Sequence, residues 1–361
     1  MYKIRPCLKM HNLKSMAEKK KKVIVGLSGG LDSAVALLLL KKQGYQPIGL
    51  TLKFNSQQSR ESVNQARKNC QKLKVPFKTL DCRQEFKKQV IDYFSKLLKQ
   101  GKTPNPCIVC NPLVKFKALF NFASQQNCQY VATGHYARIK NGQLLRAKDE
   151  NKDQSYFLCL MRQNQLKRII FPLGNLTKQE VYQIAKKEKL GSVIQQKESQ
   201  DLCFKLPKLA ANPGTIVDSQ KNILGRHQGL HEYTVGQRKG IKLSNGPWKV
   251  TGFDYKKNQL IVTNKKNDPL LSKKEIALTR THFISGRPKQ KSIKVKAKTR
   301  FNQPLASAKL SLSSAGPASR LIFDRPQKSV APGQWAVFYL PRRSGAKTDD
   351  GEICLGGGMI K

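Results

Sequence analysis

The chain has 361 residues, of which 39% are hydrophobic and 25% are charged, as expected for a globular protein of about two or three domains. Its longest apolar run is too short to cross a bilayer, so we expect no membrane-spanning segment. Lys and Arg number 68 against 22 Asp and Glu, which gives a net charge of +46. This excess favours a polyanionic partner such as nucleic acid, although lysines along a whole chain are also typical of a solvated surface.

The nine cysteines are odd in number and irregularly spaced, which argues against a disulfide framework and favours a reducing compartment. Residues 1–20 are basic and lack the apolar middle of a secretory signal, so we interpret them as a basic tail. A cytoplasmic location is therefore expected, with mitochondrial import as the alternative.

The first half of the chain alternates between two patterns. Short β-branched runs predict strands, and the segments between them have helical periodicity. This alternation predicts an α/β fold with a doubly wound parallel sheet, in which ligands bind beyond the carboxyl ends of the strands. The predicted strands are 23–27, 46–53, 76–81 and 129–133, and the predicted helices are 32–43, 59–73, 83–100 and 114–127.

The stretch "VIVGLSGGLDSAVALLLL", residues 23–40, predicts a strand, a glycine turn and a helix. Its first-turn amides have no partner within the helix, and Gly29 and Gly30 allow close approach of an anion. The turn lacks the lysine of the kinase-type phosphate loop. We interpret it as a phosphate-binding loop, and the alternative is an ordinary turn capped by Asp32 or Ser33.

The second half begins with one further helical pattern, at 177–190. Beyond about residue 205 the pattern changes to short segments separated by turn signals, including "HEYTV", "WKVTGFDY", "QLIVT" and "QWAVFYL". These segments predict a small central domain followed by a C-terminal β-barrel. We divide the chain into a tail at 1–20, a first domain at 21–204, a central domain at 205–276 and a barrel at 277–361.

One CxxC pair occurs, Cys107 and Cys110 in "NPCIVCN". A structural zinc site normally needs a second pair at short range, and the sequence offers none. We therefore predict no metal site made by the protein alone.

Several motifs together resemble the tRNA-specific 2-thiouridylase family, a branch of the PP-loop ATP pyrophosphatases. The similarity runs from about Val23 to the end of the chain. It rests on "SGGLDS", "TPNPCIVCN", "GHYAR", "KDQSYFL", "SQDLCF", "HEYTVGQRKG", "PGQWAVFY" and "GEICLGGGMI", which occur in the family's order.

The resemblance implies that ATP, with Mg²⁺, adenylates the C2 oxygen of a tRNA wobble uridine, and that sulfur then replaces this oxygen. The expected partners are glutamate, glutamine and lysine tRNAs and a persulfide donor, with the chain acting as a monomer. The implied nucleotide-binding residues are Gly26, Leu27, Ser28, Gly29, Gly30, Leu31, Asp32, Ser33, Leu52 and Gly134.

The resemblance also implies two catalytic thiols. Cys203 would carry the persulfide, and Cys110 would attack Cys203 to release sulfide or close a disulfide with it. Because thiolates are the reactive species, we expect both to be exposed and near positive charge. Cys107 departs from the family, where many members have Asp that can serve as a general acid or base; a thiol is a poorer proton carrier at neutral pH.

Positions that match tRNA contacts of the family complete the predicted site. The flipped uridine would lie beside the "NPC" segment, because an enzyme acting on a base must take it out of the stack. An aromatic and a guanidinium side by side in the barrel suit stacking on unpaired bases. The predicted tRNA-binding residues are Asn105, Pro106, Cys107, His135, Lys152, Asp153, Gln154, Arg300, Phe301 and Gln334.

Two other functions stay open. Another ATP pyrophosphatase, such as a lysidine synthetase or an amidotransferase-linked synthetase, would not need Cys110 and Cys203. A noncatalytic tRNA-binding relative is suggested by Cys107 and by the segment "KLPKLAANPGTIVD", which is about ten residues shorter than its family equivalent.

Overall fold

The computed structural model describes residues 21–54, 60–190, 203–204, 209–266, 268–313, 316, 318–341 and 351–361. The basic tail at 1–20 lies outside the described residues, as does the start of the shortened segment, 205–208. The described residues form a parallel sheet, a smaller mixed sheet and an antiparallel barrel.

The N-terminal domain is built on a five-stranded parallel sheet with strand order β3–β2–β1–β4–β7. Val23, Ile24 and Val25 of the central strand are fully buried, because helices cover both faces of the sheet. This confirms the predicted doubly wound sheet. Its strands and an added hairpin are β1 (Lys22–Gly26), β2 (Gln46–Lys53), β3 (Phe77–Asp81), β4 (Tyr130–Thr133), β5 (Arg138–Lys140), β6 (Gln143–Leu145) and β7 (Ile169–Ile170).

Among the described residues, eight α-helical segments surround this sheet, and two π-helical turns, Lys87–Ile91 and Asn111–Phe116, connect consecutive segments into longer helices. No described helix has the combination of length and apolar character that a membrane crossing needs. The helices are α1 (Leu31–Lys42), α2 (Arg60–Lys72), α3 (Arg83–Phe86), α4 (Asp92–Lys99), α5 (Pro106–Cys110), α6 (Lys117–Gln125), α7 (Gln163–Leu166) and α8 (Lys178–Lys187).

The helix predicted at 114–127 was wrong at its start, because the helical path begins at Pro106. Pro106 occupies the first helical position, where a missing N–H costs nothing. Pro112 lies in the second π-helical turn rather than in regular α-helix, where a proline would break the hydrogen-bond ladder. The whole CxxC segment is therefore helical.

The central domain is a four-stranded sheet with the order β10–β11–β8–β9, and its core contains Val250, Leu260 and Val262. "HEYTV" is not a strand. Leu230–Glu232 form a 3-10 turn, while Tyr233 and Val235 are buried without strand pairing. The strands are β8 (Gly214–Val217), β9 (Ile223–His227), β10 (Lys249–Asp254) and β11 (Gln259–Thr263).

The C-terminal domain confirms the predicted barrel. Six antiparallel strands follow the order β12–β15–β14–β13–β16–β17, and β12 pairs with β17 to close the ring. The first strand begins at Ser272, inside the segment that we had assigned to the central domain. The strands are β12 (Ser272–Phe283), β13 (Ser292–Lys298), β14 (Ala306–Leu312), β15 (Ser319–Lys328), β16 (Trp335–Leu340) and β17 (Ile353–Ile360).

The barrel is attached to the N-terminal domain through the β5–β6 hairpin, since Leu145 of β6 pairs with Ile353 of β17. Beside this pairing, Arg146 forms ion pairs with Asp153 at 3.1 Å and with Glu352 of the barrel at 3.2 Å. The strand pairing and the buried ion pairs therefore lie next to each other, and together they hold the barrel against the N-terminal domain.

Candidate active site

The predicted phosphate loop lies at the carboxyl edge of the parallel sheet, at the point where the order of the strands reverses. Gly26, the last residue of β1, is in register with Leu50 on one side and with Thr133 on the other. The strands β2 and β3 lie to one side of β1, and β4 and β7 lie to the other. The loop is thus at the switch point of the sheet, where α/β domains bind ligands, and Leu52 and Gly134 follow the same edge.

The loop is held by its own serines. Ser33 Oγ donates to the Gly30 carbonyl at 2.9 Å, and the Ser28 N–H donates to Ser33 Oγ at 3.3 Å. Gly30 is the N-cap of α1, and no described side chain caps it. Neither Asp32 nor Ser33 is therefore the cap, and the first-turn amides remain available to an anion.

Two glycines are required where backbone segments meet at the loop. Gly29 has φ +86°, and a Cβ there would lie 2.2 Å from the Ser62 carbonyl oxygen. A Cβ on Gly134 would lie 2.8 Å from the Asp32 carbonyl carbon. Any larger residue would displace the backbone, so these glycines set the shape of the cradle.

Asp32 of the loop accepts two hydrogen bonds that the sequence analysis did not anticipate. Its Oδ1 accepts from the Tyr136 hydroxyl and from Lys178 Nζ, both at 2.8 Å. Lys178 is the first residue of α8, and its side chain is 11% exposed. The absence of lysine from the loop was a sequence signal that a cation must come from elsewhere in the chain, but it did not identify Lys178.

The helix that carries Cys107 and Cys110 points its N-terminal end toward the same edge, because its C-terminal end leads back to the start of β4. Contacts confirm this direction. Gly134 touches Asp32, and the next residue, His135, stacks on Phe116 of the π-helical turn with ring centroids 6.0 Å apart. The thiol segment and the phosphate loop thus share one edge of the sheet.

The predicted thiols lie close enough to influence one another. Burial is the main reason that the pKa of Cys110 rises to about 12, and a negative charge on Cys203 contributes to the same rise. The pKa of Cys107 is likewise raised, first by burial and also by Cys203. Lys115 opposes these shifts, since its ammonium lowers the pKa of Cys107, Cys110 and Cys203. Cys107, Cys110 and Cys203 therefore form one electrostatically coupled thiol cluster.

The exposure of the thiols differs from the expectation. Cys203 is exposed, as predicted, but Cys110 is only 8% exposed, so the predicted exposure was wrong for this thiol. Phe204 anchors the neighbouring backbone by packing on Phe86 and Phe94, with both centroid separations 5.6 Å. In the described part of the chain, no disulfide bond joins any of the eight cysteines.

His135 is held as a neutral, partly buried ring. Its Nδ1 is hydrogen-bonded to Thr133 Oγ1 at 2.7 Å, and its ring lies between Phe116 and Phe171. Burial, assisted by Lys115, lowers the pKa of His135 well below 6.5. Nearby, Asn105 is the N-cap of α5 and Pro106 is its first residue, so the predicted "NPC" contact segment opens this helix.

The three residues at 152–154 that are predicted to contact tRNA differ in burial and in their hydrogen-bond partners. Asp153 is 1% exposed, and its carboxylate accepts from Arg146 and from the backbone and hydroxyl of Ser155. Gln154 exchanges hydrogen bonds with the Tyr136 backbone, while Lys152 is half-buried. In this arrangement Asp153 and Gln154 orient the segment that carries Tyr136.

The predicted barrel contacts lie at boundaries between domains. Arg300 donates to the Val235 carbonyl of the central domain at 2.7 Å. Phe301 packs on Phe157 of the N-terminal domain with ring centroids 4.4 Å apart. Gln334 is half-buried and precedes β16. Arg300 and Phe301 thus contact neighbouring domains.

The chemistry of the side chains and backbone amides at the site limits which ligands it can hold. Within the described ranges, His, Cys, Asp and Glu side chains do not gather in threes or more as a metal site requires. The phosphate loop fits an anion, since it offers uncapped amides, serine hydroxyls and an adjacent ammonium.

Comparisons with known proteins cover almost the whole chain. Family models match residues 21–206, 206–264 and 273–360, described as the tRNA methyl transferase HUP domain, the tRNA methyl transferase PRC-barrel domain and the aminomethyltransferase beta-barrel domain. The tRNA-specific 2-thiouridylase MnmA of Vibrio cholerae is 38% identical over 98% of this chain and 99% of its own. The MnmA of Acaryochloris marina is 40% identical over 94% and 99%.

Among solved structures, a 4-thiouridine synthetase–RNA complex with bound ATP aligns with 52% of this chain and 46% of its own, at 20% identity and a TM-score of 0.37. The NH3-dependent NAD synthetase of Campylobacter jejuni aligns at 20% identity and a TM-score of 0.33, over 50% and 69% of the two chains. The sequence relatives carry the assignment, because their identity extends over nearly the full length of both chains. The chain belongs to the tRNA-specific 2-thiouridylase family.

Proposed function

We propose that this protein is a tRNA 2-thiouridylase that activates the C2 oxygen of a wobble uridine with ATP and replaces it with sulfur. The observation that carries the proposal is that the predicted phosphate loop and the predicted thiols lie at one edge of the parallel sheet. The family's name supports the same reaction. A domain that only binds a nucleotide would need the loop but would not need the thiols.

The loop suits the first half of the reaction. The uridine C2 oxygen would attack the α-phosphorus of ATP, and the bond to the β-phosphate oxygen would break to release pyrophosphate. The α1 amides and the hydroxyls of Ser28 and Ser33 would hold the phosphates. Mg²⁺ would enter with the triphosphate, since the described side chains offer no cage of their own.

The thiol cluster suits the second half. The terminal sulfur of a Cys203 persulfide would attack C2, and AMP would leave with the former C2 oxygen. Cys110 would then attack Cys203 Sγ, which releases the thiolated base and leaves a disulfide between the two cysteines. An external dithiol would reduce this disulfide, and a persulfide donor would reload Cys203. Exposure of Cys203 supports its access to a donor.

The burial of Cys110 supports a role late in the reaction, after the Cys203 persulfide has attacked C2. A thiol with pKa about 12 is protonated at neutral pH and does not attack prematurely. The Cys110 proton must leave before attack, and His135 is a weak acceptor for it because burial and Lys115 hold the pKa of its ring well below 6.5. Lys115 would favour the resulting thiolate.

We propose tRNA as the macromolecular substrate, bound by a monomer in the cytoplasm. The net charge of +46 supports a salt-dependent electrostatic contribution to binding. The target uridine would leave the stack and enter beside Asn105, Pro106 and Cys107. Arg300 and Phe301 would then contact the RNA only at the surface left by their interdomain contacts.

Sulfur incorporation is the test. The protein is incubated with ATP, Mg²⁺, a persulfide donor and unmodified glutamate, glutamine or lysine tRNA, and the digested RNA is examined for 2-thiouridine by mass spectrometry. We expect 2-thiouridine only when ATP is present. Pyrophosphate release and tRNA binding without any 2-thiouridine would instead favour another tRNA-acting ATP pyrophosphatase, and tRNA binding alone would favour a noncatalytic relative.

A further inference from the structure

The phosphate loop contains no cation of its own, because Leu31, Asp32 and Ser33 follow Gly30 where kinase-type loops have lysine. The structure supplies an ammonium from elsewhere in the chain. Lys178 Nζ lies 2.8 Å from Asp32 Oδ1, in the first turn of α1. The two residues are 146 positions apart in sequence, so the fold places this charge at the loop.

The position of Lys178 is fixed by contacts at the start of α8. Thr177 and Glu180 form a capping box around the helix N-terminus, and the Lys178 N–H donates to Asp149 Oδ2 at 2.9 Å. Its Nζ lies 5.9 Å from the Tyr136 ring centroid and 5.0 Å from that of Tyr182, which suits a cation–π contact. These contacts therefore hold the Lys178 ammonium beside the loop.

We propose that Lys178 is a catalytic cation that binds the β- and γ-phosphates of ATP and stabilises the pyrophosphate leaving group, while Asp32 and Tyr136 hold it in place. This inference rests on the proposed ATP-dependent function. When the bond between the α-phosphorus and the β-phosphate oxygen breaks, its electron pair stays on pyrophosphate. The added negative charge develops beside the Lys178 ammonium, and no proton has to move.

A purely structural role is the alternative explanation, because the same ion pair joins α1 to α8. The two roles differ in ligand selectivity. A lysine at the β- and γ-phosphates affects ATP and pyrophosphate but leaves AMP unchanged, since AMP lacks both groups. A structural lysine that shapes the loop affects all three ligands alike.

The experiment measures binding of ATP, pyrophosphate and AMP to the full-length protein by calorimetry, for the wild type, Lys178→Gln and Lys178→Arg. We expect Lys178→Gln to weaken ATP and pyrophosphate binding by about tenfold or more, with AMP within about twofold of the wild type. Inhibition of adenylation by added pyrophosphate should weaken in parallel. Lys178→Arg should recover part of the loss, because it restores a cation.

Lys87→Gln is the matched control. Lys87 also pairs with a carboxylate, Asp92 at 3.3 Å, but its side chain is 71% exposed and neither residue belongs to the phosphate loop or to α8. Its removal should change none of the three affinities. If Lys178→Gln does not fold, Lys178→Arg is compared with the wild type in the same titrations, and a change confined to ATP and pyrophosphate supports the proposal.

Equal losses for ATP, pyrophosphate and AMP, or no loss for any of them, would overturn the role of Lys178. A wild-type protein that binds pyrophosphate through Lys178 yet never forms 2-thiouridine would leave the cation assigned and reject the proposed function. The two failures are therefore distinguishable.

Discussion

Phe301 of the barrel and Phe157 of the N-terminal domain lie face to face, with ring centroids 4.4 Å apart and planes inclined by 34°. The Phe157 carbonyl in turn accepts a hydrogen bond from Asn111 Nδ2 at 3.0 Å, and Asn111 follows Cys110. The barrel ring is thus two contacts from the residue next to a proposed catalytic thiol. Movement of the barrel would therefore be transmitted through Phe157 and Asn111 to the backbone beside this thiol.

The first prediction concerns this aromatic contact. Phe301→Ala should lower the free energy of unfolding by about 2 kcal/mol, less than for a fully buried phenylalanine, because Phe301 is only partly buried. It should also slow sulfur transfer more than pyrophosphate release. Urea denaturation and the two product assays measure these effects, with Phe301→Leu as the milder control. An unchanged stability would contradict the packing role.

The second prediction uses a matched pair of glycines. Gly29 and Gly44 both have positive φ, +86° and +84°, but a Cβ on Gly44 would meet nothing within 4 Å. Gly44→Ala should cost about 1 kcal/mol of stability and retain activity. Gly29→Ala should abolish detectable pyrophosphate release, because its Cβ collides with the Ser62 carbonyl. Full activity of Gly29→Ala would show that the loop does not need this close approach.

The third prediction separates the two chemical halves. Cys110→Ser and Cys203→Ser should each abolish 2-thiouridine formation while pyrophosphate release is partly retained, since the phosphate loop is intact. Mass spectrometry of the RNA and a pyrophosphate assay give the two readouts. Cys128→Ala, at a buried cysteine between the end of α6 and the start of β4, should affect neither. Thiolation by Cys203→Ser would remove the proposed sulfur-carrying role.

The fourth prediction follows from the raised thiol pKa values. Burial raises the pKa of Cys110 to about 12, and partial desolvation of the Cys203 thiol raises its pKa although the residue as a whole is exposed, so both thiols are protonated at neutral pH. Their alkylation by iodoacetamide should therefore accelerate about tenfold per pH unit between about pH 7 and pH 9, with Cys203 faster. Lys115→Gln should slow both reactions, since Lys115 lowers both pKa values. A plateau below about pH 8 would contradict these shifts.

The fifth prediction concerns the buried charges between domains. Arg146 is 10% exposed, and its partners Asp153 and Glu352 are 0% and 8% exposed. Arg146→Met should destabilise the protein by about 3 to 5 kcal/mol, because it leaves the buried carboxylate of Asp153 without its paired cation and leaves Glu352 with only Lys296. Arg320→Met is the control, since its pair with Glu275 is exposed and should contribute about 1 kcal/mol or less. Urea denaturation compares the two variants.

The same network gives a direction for acid sensitivity. Burial raises the pKa of Glu352, but its hydrogen bonds and the charges of Arg146 and Lys296 outweigh burial, so the net shift is downward. The stability from Glu352 is therefore complete above its unfolded pKa and is lost as the pH falls through the lower folded value. Glu352→Gln should flatten this loss in acid unfolding curves. An unchanged acid profile would show that the charge of Glu352 contributes nothing.

The sequence predicted the sheet well because fully buried strands such as 23–25 read as continuous β-branched runs. It could not show β7, whose two residues, Ile169 and Ile170, are too few for a periodic pattern. The early start of the helix at Pro106 was also hidden, since prolines at 106 and 112 read as breakers. Short or proline-containing elements depend on tertiary contacts that no local pattern encodes.

For the site, the motifs identified residues that are close along the chain, such as Ser28 to Ser33. They did not reveal Lys178, Tyr136 or Lys115, whose importance comes from positions created by folding. The opposite case is Asp153, which a motif marks as a contact residue but which is buried against Arg146. Sequence similarity therefore locates the site, whereas burial distinguishes residues that face a ligand from those that hold others in place.

The pairing of Leu145 with Ile353 has a consequence for synthesis of the protein. The β5–β6 hairpin leaves the ribosome more than 200 residues before its partner strand, and the barrel cannot close before that strand is made, because β17 also pairs with β12. A ribosome that stops before Ile353, the first residue of β17, would thus release a chain with an open barrel and an unpaired hairpin. A nonsense or frameshift mutation just before β17 should be as damaging as an early one, since this strand completes both structures.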